Sequence, residues 1–301
     1  MKRFYHTILI TLGLSIGTLS FAQADQTNSA QLIIIIDDIG NNYALGNAIV
    51  ELDAPLTLAF LPHTPHAKTL ANKAHLHHKE IILHAPMENT FKVPLGPGAL
   101  TRELSETEFK QTLKKAIASI PHAQGINNHM GSLLTQDTQS MKWVMETLKD
   151  EQLYFIDSLT SPKSVAYQQA KKYQLPTLRR HIFLDNDKSY EALNEQWSKA
   201  LRIAHKTGRA VLIGHPYPES RAFLAKELPK LAAQNIELIP ASQYLLQQAW
   251  KKFEPSNQQH TQNRANRYLL QNKNNHSSEN TLPIVSDAQA LISQTTSPQA
   301  H

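Results

Sequence analysis

The chain contains no cysteine, so no disulfide framework holds it together. Long apolar runs are nearly as scarce. The one stretch that stands out, Ile8 to Phe21, is short for a bilayer span of about 20 residues, and nothing after it qualifies. Basic residues are scattered among acids, without the aromatic interleaving that single-stranded nucleic-acid grooves use, which argues against nucleic acid as a partner. Beyond the first 24 residues no G-x-S-x-G elbow occurs. A phosphate-cradling G-x-x-x-x-G-K is absent, and no G-x-G-x-x-G follows the first strand, which disfavours a dinucleotide fold.

What the N-terminus does have is a basic head at Lys2 and Arg3, the short apolar middle, and a small-x-small end at Ala22-Gln23-Ala24. That pattern is a secretory signal peptide. Residues 1–24 are therefore expected to be removed, leaving a protein that starts at Asp25, is periplasmic or secreted, and has no stable membrane span. Losing Lys2 and Arg3 lowers the formal charge from +5 to +3, too mild a surplus to identify an anionic partner. Residues 25–252 are long enough for one large apolar core. From 253 to 301 the composition turns to Asn, Gln, Ser and His, and this tail is expected to be disordered.

The chain is organised around LIIIIDDIG, Leu32 to Gly40. Its isoleucine run reads as a strand buried on both faces, as in parallel sheets covered by helices. Asp37 and Asp38 sit at its carboxyl end, where ligands bind in α/β folds. If the strand stays regular there, the two carboxylates point to opposite faces and have different jobs.

Short apolar runs then alternate with amphipathic ones. Strands are predicted at 32–36, 56–60, 80–84, 124–127, 153–157, 182–184, 210–214 and 236–239, with helices at 42–51, 65–78, 105–119, 137–150, 162–172, 190–207, 219–233 and 241–252. Serial βα units of this spacing give a parallel sheet, open or rolled into a barrel. A proline- and glycine-punctuated loop from Thr90 to Leu104 follows the third strand and is placed to wall a substrate groove. His75, His77, His78, His260, His276 and His301 fall in polar stretches and read as solvated surface. His84, His129 and His215 instead follow strand segments and would converge with the Asp pair over one mouth. One Asp and two His suit Zn²⁺ or another divalent metal, leaving an open position for water.

In order along the chain, IIIIDDIG, LAFLPHTPHA, HKEIILHAPME, AQGINNHMGS, YFIDSLT, RRHIFLDN and AVLIGHPYP resemble the signature blocks of the divergent polysaccharide deacetylases, from about Leu32 to Ile239. The resemblance implies the irregular seven-stranded (β/α) barrel of the carbohydrate deacetylases and a metal-dependent site that removes acetyl groups from an N- or O-acetylated glycan. It implies that Asp37 is the general base, that Asp38 is a metal ligand with two histidines, and that His215 is the general acid. The common enzymes of that superfamily supply both histidines four residues apart after the third strand. Here His84 is followed four residues on by Glu88. His129 is the replacement ligand, with Glu88 a ligand or a partner of one.

Asp157, Arg180 and Asp185 stand beside strand ends, where they would orient His215 or Asp37. Asn127 and Asn128 would bond substrate or close a turn, and Tyr217 and His63 would line the sugar groove. Two other functions fit the same residues. One is a non-catalytic envelope carbohydrate-binding or scaffold protein on this fold. The other is a metal-dependent esterase, phosphoesterase or peptidase, since an Asp/His zinc site does not specify the scissile bond.

Overall fold

Isoleucine after isoleucine gives Ala30–Ile39 its strand, because β-branched side chains fit a pleated surface and both faces of this one are covered. A computed structural model describes residues 29–251; the expected leader at 1–24 and the tail at 253–301 lie outside the described residues. Within them run β1 (Ala30–Ile39), β2 (Thr57–Phe60), β3 (Glu80–Met87), β4 (Ala123–Met130), β5 (Tyr154–Asp157), β6 (Thr177–Arg179), β7 (Ile182–Phe183), β8 (Arg209–Gly214) and β9 (Ile236–Leu238). All are parallel, in the order β6-β5-β4-β3-β2-β1-β8-β7, with β9 added to the start of β1.

The helices that separate them are α1 (Tyr43–Val50), α2 (Ala67–Leu76), α3 (Glu106–Ser119), α4 (Thr138–Asp150), α5 (Ala166–Lys172), α6 (Tyr190–Thr207) and α7 (Pro218–Glu227), with α8 over 241–251. Local chemistry starts several of them: Asn42, Ser105, Asp137 and Ser189 each accept a backbone N–H of the first turn, and Ser105 with Glu108 forms a capping box. None of the described helices is long and apolar enough to cross a membrane.

Alternation along β1 divides the core. Leu32, Ile34 and Ile36 pack outward into the layer of helices, with Leu70, Phe109, Leu193 and Trp197. Ile33 and Ile35 pack inward with Ile82, Ile156, Val211 and Ile213, and Ile239, Ala241 and Tyr244 plug that interior at the amino ends of the strands. Glu80, buried at the start of β3, fixes the plug. It accepts the Ala241 and Ser242 backbone N–H groups at 2.7 and 2.9 Å and the Thr57 hydroxyl at 2.5 Å.

Of the expected irregular seven-stranded (β/α) barrel, the structure has the helix-flanked parallel sheet, curled but open and built of nine strands. Among the described residues no ladder joins the edges β6 and β7. Two residues join them instead. The Arg180 N–H bonds the Asp157 carbonyl of β5, next to one edge, at 3.0 Å, and the His181 N–H bonds the Val211 carbonyl of β8, next to the other, at 2.9 Å. β6 escaped sequence prediction because its three residues, TLR, carry no apolar run. Helix α7 stops at Glu227, short of the predicted 233, where Pro229 cannot continue it.

Candidate active site

The register of β1 slips at the Asp pair. Ile36 pairs with Leu58 and Ile39 with Phe60, so three steps on β1 meet two on β2, and one residue is extra. Asp38 takes the left-handed conformation, φ +58°, which Asp adopts several-fold more readily than most residues. The expected opposition of the two carboxylates is thereby undone. Asp37 Oδ2 and Asp38 Oδ1 lie 3.6 and 3.2 Å from the same atom, His84 Nε2. Gly40 completes the turn at φ +135°, where a Cβ would stand 2.1 Å from Thr64 Oγ1.

His84 is not at its strand's end, because β3 runs on to Met87, whereas His129 is the next-to-last residue of β4, which extends past the predicted 127 to Met130. Those extra residues pair the two strands, His84 beside Asn127 and Pro86 beside His129. Asn127 is fully buried and joins two expected site residues: its Nδ2 donates to Asp37 Oδ1 at 2.8 Å, and its Oδ1 accepts from His84 Nδ1 at 2.7 Å. With Nδ1 carrying the proton, His84 Nε2 presents its lone pair to the centre. His129 Nδ1 faces it at 3.1 Å and lies 2.9 Å from Asp38 Oδ1.

Asp38 Oδ1, His84 Nε2 and His129 Nδ1 thus form a triangle with edges of 2.9, 3.1 and 3.2 Å. Ligands about 2.0–2.1 Å from a tetrahedral zinc are roughly 3.3 Å apart, so the spacing suits a divalent ion. A second observation agrees. Asp38 Oδ1 is buried and close to both nitrogens, yet makes no hydrogen bond with either. The donor set has one carboxylate and two neutral imidazoles, which zinc accepts.

The two carboxylates are electrostatically split. Burial pushes Asp37 up, only partly offset by His84, His215 and Asn127. Burial would push Asp38 up as well, but the imidazoles of His129 and His84 outweigh it and hold Asp38 well below the usual carboxylate range. Adjacent acids driven apart in this way suit a base and a permanently charged ligand.

Across the mouth, His215 follows β8 with its Nε2 4.0 Å from Asp38 Oδ2. Its Nδ1–H donates to Asp185 Oδ1 at 2.8 Å, and its backbone N–H donates to Asp185 Oδ2 at 2.7 Å. The Ser220 hydroxyl, from α7, adds a third bond to Asp185 at 2.6 Å. Burial lowers the His215 pKa, but the Asp185 carboxylate outweighs it and raises it to about 9. Gly214 makes room: a Cβ there would come within 3.2 Å of Asp185 Oδ2.

Other expected residues do different work. Glu88 lies past the end of β3 and takes the backbone N–H, Nε and Nη2 of Arg102, so its carboxylate is engaged outside the triangle. Asp157 orients neither His215 nor Asp37; it accepts from Leu159 N and Ser164 Oγ. Arg180 donates to the Ser158 and Leu159 carbonyls and stacks 3.7 Å over Phe183. Both therefore shape the loop after β5. Asn128 is buried, its Nδ2 donating to Met130 O and its Oδ1 accepting from Ser158 N, so its amide ties the ends of β4 and β5 together. Tyr217 flanks His215 with ring centroids 5.6 Å apart, and His63 is exposed, packed near Gly98. The proline-rich loop does wall a cleft of about 320 Å³ that starts at Asp38 and His129. Ser220 and Arg102 were missed, since a serine in a helix's first turn and an arginine in a loop carry no signal of their own.

Residues 34–245 match the family described as divergent polysaccharide deacetylase. The chain is 33% identical over 217 residues to the uncharacterized protein YibQ of Escherichia coli (strain K12), covering 72% of this chain and 68% of that one. It is 34% identical over 220 residues to an uncharacterized protein of Haemophilus influenzae, covering 73% and 76%. The crystal structure of the uncharacterized protein ATU2773 from Agrobacterium tumefaciens C58 superposes with a TM-score of 0.69 at 21% identity, over 72% of this chain and 89% of that one, a likeness of fold.

Proposed function

The chain belongs to the divergent polysaccharide deacetylase family, and on that premise we propose that it is an exported, metal-dependent hydrolase that removes acetyl groups from an N- or O-acetylated glycan of the cell envelope. The observation that carries this reading is the triangle of Asp38 Oδ1, His84 Nε2 and His129 Nδ1, flanked by Asp37 on one side and His215 on the other. Those three atoms would hold the metal, with zinc favoured by the donor set. The metal supplies Lewis acidity and a water of lowered pKa.

Asp37, its carboxyl raised by burial, takes the proton of the attacking water. Asn127 holds that carboxylate and the His84 ring in one arrangement through a single amide. His215, kept protonated by Asp185, gives its Nε2 proton to the departing amine or hydroxyl. Tyr217 and His63 would meet the sugar. The basic head, apolar middle and small-x-small end before Asp25 support export.

The test is turnover of acetylated sugars, phosphate esters and short peptides by the full-length mature chain with and without added zinc. Zinc-dependent release of acetate alone supports the proposal. Turnover confined to phosphate esters or peptides replaces the substrate, and metal binding without any turnover replaces the enzyme with a binding protein on the same fold.

A further inference from the structure

Removing an acetyl group leaves one part of this site unused. The cleft that starts at Asp38 and His129 has a volume of about 320 Å³. At roughly 30 Å³ per water-sized group, that is room for about ten of them, where an acetyl methyl needs one. Six of its eleven lining residues carry apolar side chains, Leu61, Pro62, Pro86, Pro94, Leu95 and Pro97, and the rest are Asp38, His129, Asn41, Thr64 and Gly96.

The lining chemistry favours an alkyl chain over a second sugar ring. A sugar brings hydroxyls that lose free energy when buried without partners, and aromatic faces commonly support its ring. Among the described residues no Phe, Tyr or Trp lines this cleft. The Thr64 hydroxyl on its wall already donates to the Leu61 carbonyl at 2.9 Å, and Asn41 stands at the exposed rim. The loop that supplies the prolines is held at both ends. Glu88 clamps Arg102, Met87 bridges Leu100, and Asn89 Oδ1 accepts from the Phe91 and Val93 N–H groups.

Direction points the same way. His215 is not on the cleft wall; its Nε2 approaches Asp38 through Oδ2, whereas Oδ1 faces His84 and His129. The atom that leaves the acyl carbon must face the acid, so the substituent on that carbon is turned away from His215, past Asp38 and His129, toward the prolines.

We propose that the cleft receives the alkyl chain of an acyl group longer than acetyl, so that the site hydrolyses short fatty acyl amides or esters of a sugar in preference to acetyl ones. The inference rests on the hydrolase reading of the same site. Water adds to the acyl carbon, and Asp37 receives its proton. The C–N or C–O bond then breaks, the leaving atom takes the His215 proton, and the products are a free carboxylic acid and the amine or alcohol.

Two measurements on the zinc-loaded full-length chain test it. The first is kcat/KM for 4-nitrophenyl acetate, butanoate, hexanoate and octanoate and for the matching N-acyl glucosamines. Each buried methylene should raise kcat/KM roughly fourfold until the cleft is full, and Leu95→Trp should collapse the hexanoyl-to-acetyl ratio. The second needs no turnover: calorimetry should show hexanoate binding more tightly than acetate. Acetyl turnover that exceeds the longer series, or hexanoate binding no tighter than acetate, overturns the inference while leaving the hydrolase reading in place. Absence of turnover at every chain length, with zinc bound, overturns both.

Discussion

Asp185 grips His215 at two points, the ring through Oδ1 at 2.8 Å and the backbone N–H through Oδ2 at 2.7 Å, so the ring's orientation and its charge are set by one carboxylate. Burial opposes a charged imidazole here and Asp185 overrides it, lifting the pKa from 6.5 to about 9. If His215 is the acid, turnover should hold to about pH 9 and fall above it. Asp185→Asn should move that alkaline limb down and lower kcat, as a pH–rate profile of both proteins would show.

The same shift has a stability counterpart. A folded-state pKa above the unfolded value means that the protonated form stabilises the fold, fully below pH 6.5 and less and less as pH rises through about 9. The difference in unfolding free energy between the wild type and His215→Ala should be largest near pH 6 and shrink by pH 10. Urea titrations across that range check it.

Metal content should sort the site into ligands and proton carriers. Asp38→Ala, His84→Ala and His129→Ala should lose zinc, because each removes one corner of the triangle. Asp37→Asn and His215→Ala should keep it and slow turnover by about 10²- to 10⁴-fold. Glu88→Ala should also keep it, since Arg102 holds that carboxylate. Elemental analysis beside an acetate-release assay reads all six, and zinc loss in Glu88→Ala with retention in His129→Ala would reverse the assignment.

Asn127→Ala should weaken zinc binding without touching a ligand. It frees the His84 ring, and lost supports of that kind typically cost about 10- to 100-fold in affinity. It also leaves buried groups of Asp37 and His84 unpaired, at a cost of about 1–3 kcal/mol in stability. Calorimetric zinc titration and denaturant unfolding separate the two effects.

Glu80→Ala should destabilise the fold without altering the zinc site. It strips partners from the first two N–H groups of α8 and from Thr57 at the far end of the strands. A cost of about 1–3 kcal/mol is expected. A lower melting temperature with unchanged zinc affinity is the outcome to look for.

Much of this fold could be read in advance because burial on both faces writes itself as apolar runs such as IIII and AVLIG. Asp38, His84, His129 and His215 were legible for a related reason: each interrupts or follows such a run with a group that can ligate or titrate. The bulge that lets Asp37 and Asp38 share one site was not, because a register slip belongs to the pairing of β1 with β2. Asn127 was visible, but its job was hidden, since that depends on reaching Asp37 across 90 positions of sequence. Glu88 looked like a ligand by spacing alone, and only the loop that brings Arg102 to it explains why its carboxylate turns elsewhere.

The sheet's free edges have a mechanical consequence. They are consecutive in the chain, so the structure is a split ring whose two lips are tied by Arg180 and His181. From Arg179 to Ile182 is three Cα steps, a leash of at most about 11 Å when taut. The ring can flex there but cannot spring wide, and β1 to β4, which carry the donor triangle, occupy the stretch of sheet farthest from the split. Strain admitted at the lips is therefore spent on β5 and β6 on one side and β7 and β8 on the other before it reaches the donors. A guest has to come through the mouth, past Tyr217 and the proline wall, because the flank is laced shut.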